Sequence, residues 1–480
     1  MLKSHLLQDF TQLPADFYRH QLPEPQPHAQ LIIQNNQLLS QLNCTLNATE
    51  LLDLTAGTLQ QVDCQPLAQK YVGHQFGYYN PDLGDGRGLL LGQWHDKNDQ
   101  AWDFHLKGAG RTPYSRQGDG RAVLRSCIRE FLASEALYGL GIPTTRALTI
   151  ATSSEKVKRE MLEPRASLIR VTPSHIRFGH FQWAANQGEK HFKALVAFVI
   201  QKHFPQWQIH PFQHQAWLIF DQACQNTAKL LAQWKSFGFN HGVMNTDNMS
   251  ILGETFDFGP YAFLDDYQAD FICNHSDYEG RYGYNQQANI GLWNCKILAG
   301  SFADWVDNGL LEQSLQAFVD NYYQHYRQQM LHRLGLDTTQ STDMTLIIEL
   351  LERLNRYAID YSLFFRRLAL WQTESEFSFF HLLPEPEAFS DWLNSLEKRI
   401  QQEQITDSVW RQRIQQRNPS VILRNYIAQD IIIAAEHGNT EPLHHWLKAL
   451  QSPFKAHRAL SKYQQPPLAH QKGFQLSCSS

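Results

Sequence analysis

The chain has 480 residues, 42% of them hydrophobic and 19% charged, the balance of a folded globular protein and too apolar for a disordered one. Lys plus Arg number 42 against 47 Asp plus Glu, a net charge of −5 that excludes a generally basic nucleic-acid binder. The longest purely apolar run, residues 194–200, is too short to cross a bilayer, and residues 1–9 lack the apolar core of a signal peptide.

The first seventy residues are loosely patterned, rich in Gln and Pro, and read as an N-terminal extension (1–70). Residues 88–94 and 101–106 read as two strands joined by the turn Asp96-Lys97-Asn98-Asp99. A glycine-rich loop, 108–120, leads into a helix over about 121–138, which Gly139 and Gly141-Ile142-Pro143 stop. Residues 148–152 and 167–172 are further strands. Beyond His191 the apolar residues recur with helical period over 192–203, 216–237, 311–334, 344–370 and 420–437. This predicts an α+β chain: a small sheet-containing part (71–190) followed by a large helical one (191–480).

Charge is distributed unevenly along this order. Residues 101–180 hold thirteen Lys and Arg against seven acids, net +6, whereas 241–290 hold eight acids against Arg281 alone, net −7. A basic first half and an acidic middle suit a site where cations hold phosphates and carboxylates hold a metal ion. Two mutually attracting surfaces would give the same arithmetic.

Several motifs carry possible chemistry. Gly-Asp-Gly-Arg occurs twice, as Gly84-Asp85-Gly86-Arg87 and Gly118-Asp119-Gly120-Arg121. Glycines let backbone N–H groups approach a phosphate and the arginine adds a charged fork, although Asp-Gly is also a common turn dipeptide. Neither copy fits a Rossmann or Walker A loop. In the helix that follows, Val123, Cys127, Glu130, Ser134 and Leu137 share one face. All but Glu130 are apolar or small, so an inward Glu130 needs a cation, and Lys107 at the end of the second hairpin strand is the candidate. The alternative leaves Glu130 at the edge of the stripe, reaching water. Farther on, His241-Gly242-Val243-Met244-Asn245-Thr246-Asp247-Asn248 precedes Asp257-Phe258-Gly259, offering hard oxygen ligands for a divalent ion. His210 and His214 lack an obvious third zinc ligand, and no Gly-x-Ser-x-Gly elbow is present.

The order hairpin Lys, helix Glu, His-containing loop with Asn, then Asp-Phe-Gly resembles a protein-kinase fold, with a sheet-containing N-lobe and a helical C-lobe. More closely, Gly73-His74-Gln75-Phe76-Gly77, the run from Leu106 to Arg116, and the run from His241 to Asn248 are similar to the selenoprotein O family, whose bacterial members are also called YdiU. The similarity extends from about Phe10 to Ser480. Five residues before Asn248, where a kinase carries its catalytic Asp, stands Val243, which cannot accept a proton; Asp247 is the neighbouring carboxylate.

The resemblance implies an active enzyme that binds ATP in reversed orientation and transfers AMP to protein hydroxyls. It implies that Lys107 and Glu130 form an ion pair with Lys107 on a phosphate, and that Gly84, Gly86, Arg87, Asp119 and Gly120 lie in the nucleotide pocket. Arg170 and Arg177 would grip the terminal phosphate, Asp247 would be the base, and Asn248 and Asp257 would hold Mg²⁺, with Mn²⁺ and UTP as further possibilities. A phosphoryl-transferring kinase and an inactive nucleotide-binding scaffold are the alternatives, Val243 being the best argument for the latter.

Seven widely spaced cysteines form neither a disulfide framework nor a zinc ribbon, which suggests a cytoplasmic protein with reduced thiols. Cys478, in a tail of small polar residues, should be accessible. Some members of the family carry selenocysteine at this antepenultimate position, which suggests redox use. Cys127 lies on the inward stripe, so Cys273, beside the acidic segment, is the expected partner for a reversible bridge.

Overall fold

The computed structural model describes residues 6–58 and 65–473. Strands occupy the first third of the chain: β1 (Leu6–Leu7), β2 (Tyr18–His20), β3 (Gln30–Gln34), β4 (Leu67–Gln75), β5 (Tyr78–Gly84), β6 (Gly88–His95), β7 (Ala101–Lys107), β8 (Ala122–Val123), β9 (Arg146–Lys158) and β10 (Leu162–Thr172). Among the described residues these ten form one antiparallel sheet, ordered β2-β4-β6-β7-β10-β9-β3, with β1 on β6, β5 on β4 and β8 on β10. The expected hairpin is β6–β7, where Asp99 takes a positive φ of 61° and Asp96 N donates to Gln100 O at 3.0 Å.

The helix after the glycine-rich loop runs Leu124–Gly139, three residues later than its sequence pattern suggests, because Ala122 and Val123 pair with β10. All five residues of its inward stripe are buried, Glu130 completely. The opposite face is buried too, since the helices Asn425–Glu436 and Glu441–Leu450 cover it. Glu130 therefore does not reach water.

Helices dominate the rest. Phe212–Phe237 and Asn308–Arg333 pack along each other, Gln287–Phe302 lies against both, and Phe178–Gln187 packs on β4. Two helical expectations need correction. The stretch 344–370 is broken into Asp343–Arg356 and Tyr361–Arg367: Ala358 takes a φ of 47°, and Asp360 caps the second helix by accepting from Leu363 N at 3.0 Å. The stretch 420–437 is helical only from Asn425. Residues before Leu67, read as loosely patterned, contain β1 to β3 and the helices Asn36–Gln41 and Ala48–Thr55. Among the described residues no helix is long and apolar enough to cross a membrane.

A two-stranded ribbon, β11 (Phe239–Asn240) with β12 (Ala262–Phe263), holds the loop that contains the acidic motifs. Gly238, at a φ of 73°, ends the long helix before it and turns the chain into this ribbon.

Candidate active site

A cavity of about 660 Å³ is lined by the sheet, the glycine-rich loop and the 241–261 loop. It gathers Gly84, Gly86, Arg87, Lys107, Asp119, Gly120, Arg170, Arg177, Asp247, Asn248 and Asp257, residues spread over more than 170 positions of sequence. Glu130 lies directly behind Lys107, whose Nζ is 2.5 Å from Glu130 Oε2.

The charges interlock. Glu130 also binds Arg170 through Nε and, at 3.1 Å, through Nη2. Arg170 Nη1 reaches Asp257 Oδ1 at 2.7 Å, and Arg177 holds the other oxygen of the same carboxylate. Arg177 Nη1 further donates to the backbone oxygen of Asp247 at 2.7 Å, and its guanidinium lies 5.1 Å from the rings of Tyr71 and Phe256. A chain of alternating sign thus runs Lys107, Glu130, Arg170, Asp257, Arg177 across the floor of the cavity. Burial alone would raise the pKa of Glu130, but Arg170 and then Lys107 overcome it and hold the carboxyl at about 2. Burial likewise opposes ionisation of Asp257, and Arg177 with Arg170 holds it well below the usual carboxylate range.

Asp247 sits in the 3₁₀ turn Thr246–Asn248 and is in a different state. Burial pushes its carboxyl up to about 6, against the pull of a Gln75 hydrogen bond and the Arg177 charge. Oδ2 accepts from Gln75 Nε2 at 3.0 Å, whereas the buried Oδ1 has no hydrogen-bond partner among the described residues. Asn248 Nδ2 donates to Val243 O at 3.0 Å, leaving its side-chain carbonyl oxygen available to ligate a cation. Behind the loop, His241 stacks on Trp234 with centroids 5.2 Å apart, and its Nε2 lies 2.7 Å from Phe256 O, which fixes the residue before Asp257. Asp257 itself adopts a φ of 53°. Asp tolerates that left-handed turn better than most residues, and the turn aims its carboxylate back at the arginines.

The repeated tetrapeptide has two structural fates. In the first copy Asp85 is buried, accepting from Gln69 N at 3.0 Å and lying 3.3 Å from His105, while Arg87 is exposed in the cavity with no ion pair among the described residues. In the second copy Asp119 is bound to Arg159 at 2.9 Å and accepts from Arg121 N, and Arg121 is engaged by Glu24 and, at 2.9 Å, by Glu155. That copy is an anchored turn, so its arginine is committed elsewhere. Gly120 combines a φ of 69° with a close approach, for a Cβ there would lie 1.9 Å from Gly110 O. Gly120→Ala should destabilise the fold by about 1–3 kcal/mol and weaken nucleotide binding. Gly118→Ala, where the nearest atom is 3.1 Å away and φ is ordinary, should cost less. Denaturant melts of both variants give the comparison, and equal costs would count against a strained loop.

Sequence reasoning missed the wall behind the cations. Asp103, His105 and Lys107 alternate on β7 and so share one face. His105 stacks on His175 at 4.6 Å, and Asp103 lies 3.3 Å from His175 and 2.9 Å from Lys202. Period-two counting back from Lys107 would have found Asp103 and His105; Gln75 stood in the Gly73–Gly77 motif with no role attached to it, and Tyr71 and Arg159 had no comparable signal. The expectation for Cys273 is corrected. It is fully buried, its Sγ donating to Asn240 Oδ1 at 3.0 Å, so it is not accessible to a tail thiol without local opening. Cys478 lies outside the described residues.

A family model described as "Protein adenylyltransferase SelO" matches residues 1–451. A protein of Hydrogenovibrio crunogenus named "Protein nucleotidyltransferase YdiU" is 58% identical over 476 residues, covering 98% of this chain and 99% of the relative. Proteins of the same name from Aliivibrio salmonicida and Vibrio cholerae are each 43% identical, with 98% and 99% of both chains covered, respectively.

Proposed function

Because this chain belongs to the SelO family of protein adenylyltransferases and is a nucleotidyl-transferring enzyme, we propose that its cavity binds ATP and passes AMP to Ser, Thr or Tyr hydroxyls of other proteins. The observation that carries this reading is the Asp247 carboxylate in the wall of the same cavity as Arg87, Lys107, Arg170 and Arg177. One group can take a proton, and four can hold phosphates.

In this reaction the target hydroxyl oxygen attacks the α-phosphorus, the bond from that phosphorus to the bridging oxygen breaks, and pyrophosphate leaves. The hydroxyl proton passes to the Asp247 carboxylate. Lys107 and Arg87 neutralise phosphate oxygens, and Arg170 and Arg177 grip the terminal phosphate, so most of the acceleration comes from positioning and charge. Val243, in the place of a kinase's catalytic Asp, cannot serve; Asp247, four residues on, takes that work. Asn248 and Asp257 supply hard oxygens only, and two protein ligands with phosphate and water completing the shell is the habit of Mg²⁺, so the residues fit Mg²⁺ or Mn²⁺. When bound, the ion neutralises phosphate charge and polarises the phosphoryl group. UTP is the natural second donor to try, since the cations recognise the triphosphate.

The architecture fits a kinase-like bilobal fold: the Lys107–Glu130 pair lies on the sheet side, and the loop with Asn248 and Asp257 follows the long helix Phe212–Phe237 of the helical part. ATP as donor and the unbridged thiols of Cys44, Cys127, Cys224 and Cys295 suit a cytoplasmic setting. The test is incubation with an acceptor protein and ATP labelled at the α- or the γ-phosphate, with Mg²⁺ and with a chelator. Label is expected on protein from α only, and only with metal. Label from γ alone means a kinase, and none from either means a scaffold.

A further inference from the structure

The motif Gly73-His74-Gln75-Phe76-Gly77 is on the opposite side of the molecule's sequence from Asp247, yet it lies against the Asp247 turn residue by residue. His74 N donates to Thr246 Oγ1 at 2.7 Å, and Phe76 N donates to Tyr282 OH at 2.9 Å. Tyr282 OH in turn donates to Asn245 Oδ1 at 2.7 Å, and Thr246 Oγ1 donates to Gln182 Oε1 at 2.8 Å. The end of β4 is thus latched to the turn by backbone N–H groups, which any side chain at position 75 would leave in place.

Gln75 does something separate. Its Nε2 donates to Asp247 Oδ2 at 3.0 Å, which fixes the rotation of the carboxylate and occupies one oxygen. The other, Oδ1, is the one without a partner. Gly73 packs against that buried oxygen: a Cβ there would lie 2.6 Å from Oδ1, so only glycine leaves the carboxylate room for this rotation. Since successive side chains of a strand point to opposite faces, Gln75 faces the 660 Å³ cavity while His74 faces a second hollow lined by Gln182 and Asn186.

We infer that Gln75 is a positioning residue for the transfer reaction: its amide, holding Oδ2, locks the Asp247 carboxylate in one rotation at the cavity wall, with Oδ1 seated against Gly73. The inference rests on the reading of Asp247 as the base. A carboxylate free to rotate would present its oxygens to the wrong partners, and a misplacement of about 1 Å at a reacting group costs on the order of a hundredfold in rate.

The experiment is steady-state AMP transfer by Gln75→Leu, Asp247→Ala and the double variant, with ATP affinity and Tm measured on each. Gln75→Leu should lower kcat about tenfold to a hundredfold while KM for ATP, ATP affinity and Tm stay near those of the unmodified protein. Asp247→Ala should bind ATP and lose at least about a hundredfold in kcat, and adding Gln75→Leu to it should cost nothing further. Should Leu lower Tm, Gln75→Met, which keeps the length and flexibility, is put through the same assay. Unchanged kcat in the glutamine variants beside a slow Asp247→Ala would overturn the role of Gln75 and leave the base standing, as would a full additional loss in the double variant. Normal turnover in Asp247→Ala would instead remove the base, and the positioning role with it.

Discussion

Asp257→Ala should abolish transfer, by about a thousandfold or more, while binding metal-free ATP at least as tightly as the unmodified protein. Asp257 has two duties that the substitution separates. Its carboxylate spans Arg170 and Arg177, whose side chains are only 8% and 3% exposed, and it is the one charged candidate among the two metal ligands. Without it, two enclosed guanidiniums lose an anion, and a triphosphate is an anion that can replace it. Metal-free nucleotide should therefore gain where metal-bound nucleotide loses. Asp257→Asn controls for shape, because Asn also tolerates the φ of 53° and keeps an oxygen donor. Its transfer should fall less than that of the alanine variant. Calorimetric titration of ATP with Mg²⁺ and with chelator, beside the transfer assay, gives the answer. Transfer at the normal rate in Asp257→Ala at ordinary Mg²⁺ would remove this residue from the metal site.

How far the site could be read from sequence follows from how each residue is held there. Glu130 was visible because an inward carboxylate among Val123, Cys127, Ser134 and Leu137 violates helical patterning, and such a violation needs a cation. The same logic failed for Arg146 and Glu135, which also form a buried pair at 2.7 Å, because the Leu124–Gly139 helix is buried on nearly all sides and its second face carries no contrast between polar and apolar positions. The two Gly-Asp-Gly-Arg copies are identical as text, and only the structure separates them: Arg87 is left open to the cavity, whereas Arg121 is taken by Glu24 and Glu155. Those partners lie 97 and 34 positions away, outside any local pattern. Strands β1 to β3 were illegible for a related reason. Two to five residues are too few to show a period, and they are fixed by pairing with β6, β4 and β9 rather than by their own composition. Cys273 was misjudged because acidic neighbours in sequence suggested a wet surface; its side chain points instead to Asn240 and under Gly242, whose Cβ would lie 2.5 Å from the sulfur.

Removing Glu130 should cost the fold more than removing Lys107, the reverse of what a two-member ion pair would give. From sequence alone Lys107→Ala strands Glu130; in the structure Glu130 keeps both contacts to Arg170, so its charge stays compensated. Glu130→Gln, in contrast, leaves Lys107 and Arg170 enclosed with no carboxylate between them, and Arg170 with Asp257 alone. Breaking a buried pair from the side that serves two cations should destabilise by about 3–5 kcal/mol, and Lys107→Ala by clearly less. Lys107→Ala should instead show mainly as weakened ATP binding. The pH dependence has a definite sign. Glu130 titrates at about 2 in the fold against an ordinary 4.5, so its contribution is complete above about 4.5 and is lost as pH falls toward 2. The stability gap between the unmodified protein and Glu130→Gln should thus be constant from neutral pH down to about 5 and narrow below about 4.5. Denaturant unfolding of the three proteins at a series of pH values measures both effects. Equal costs for the two substitutions would mean that Arg170 does not share the carboxylate in solution, and a gap that persists unchanged into acid would mean that Glu130 stabilises by its packing and not by its charge.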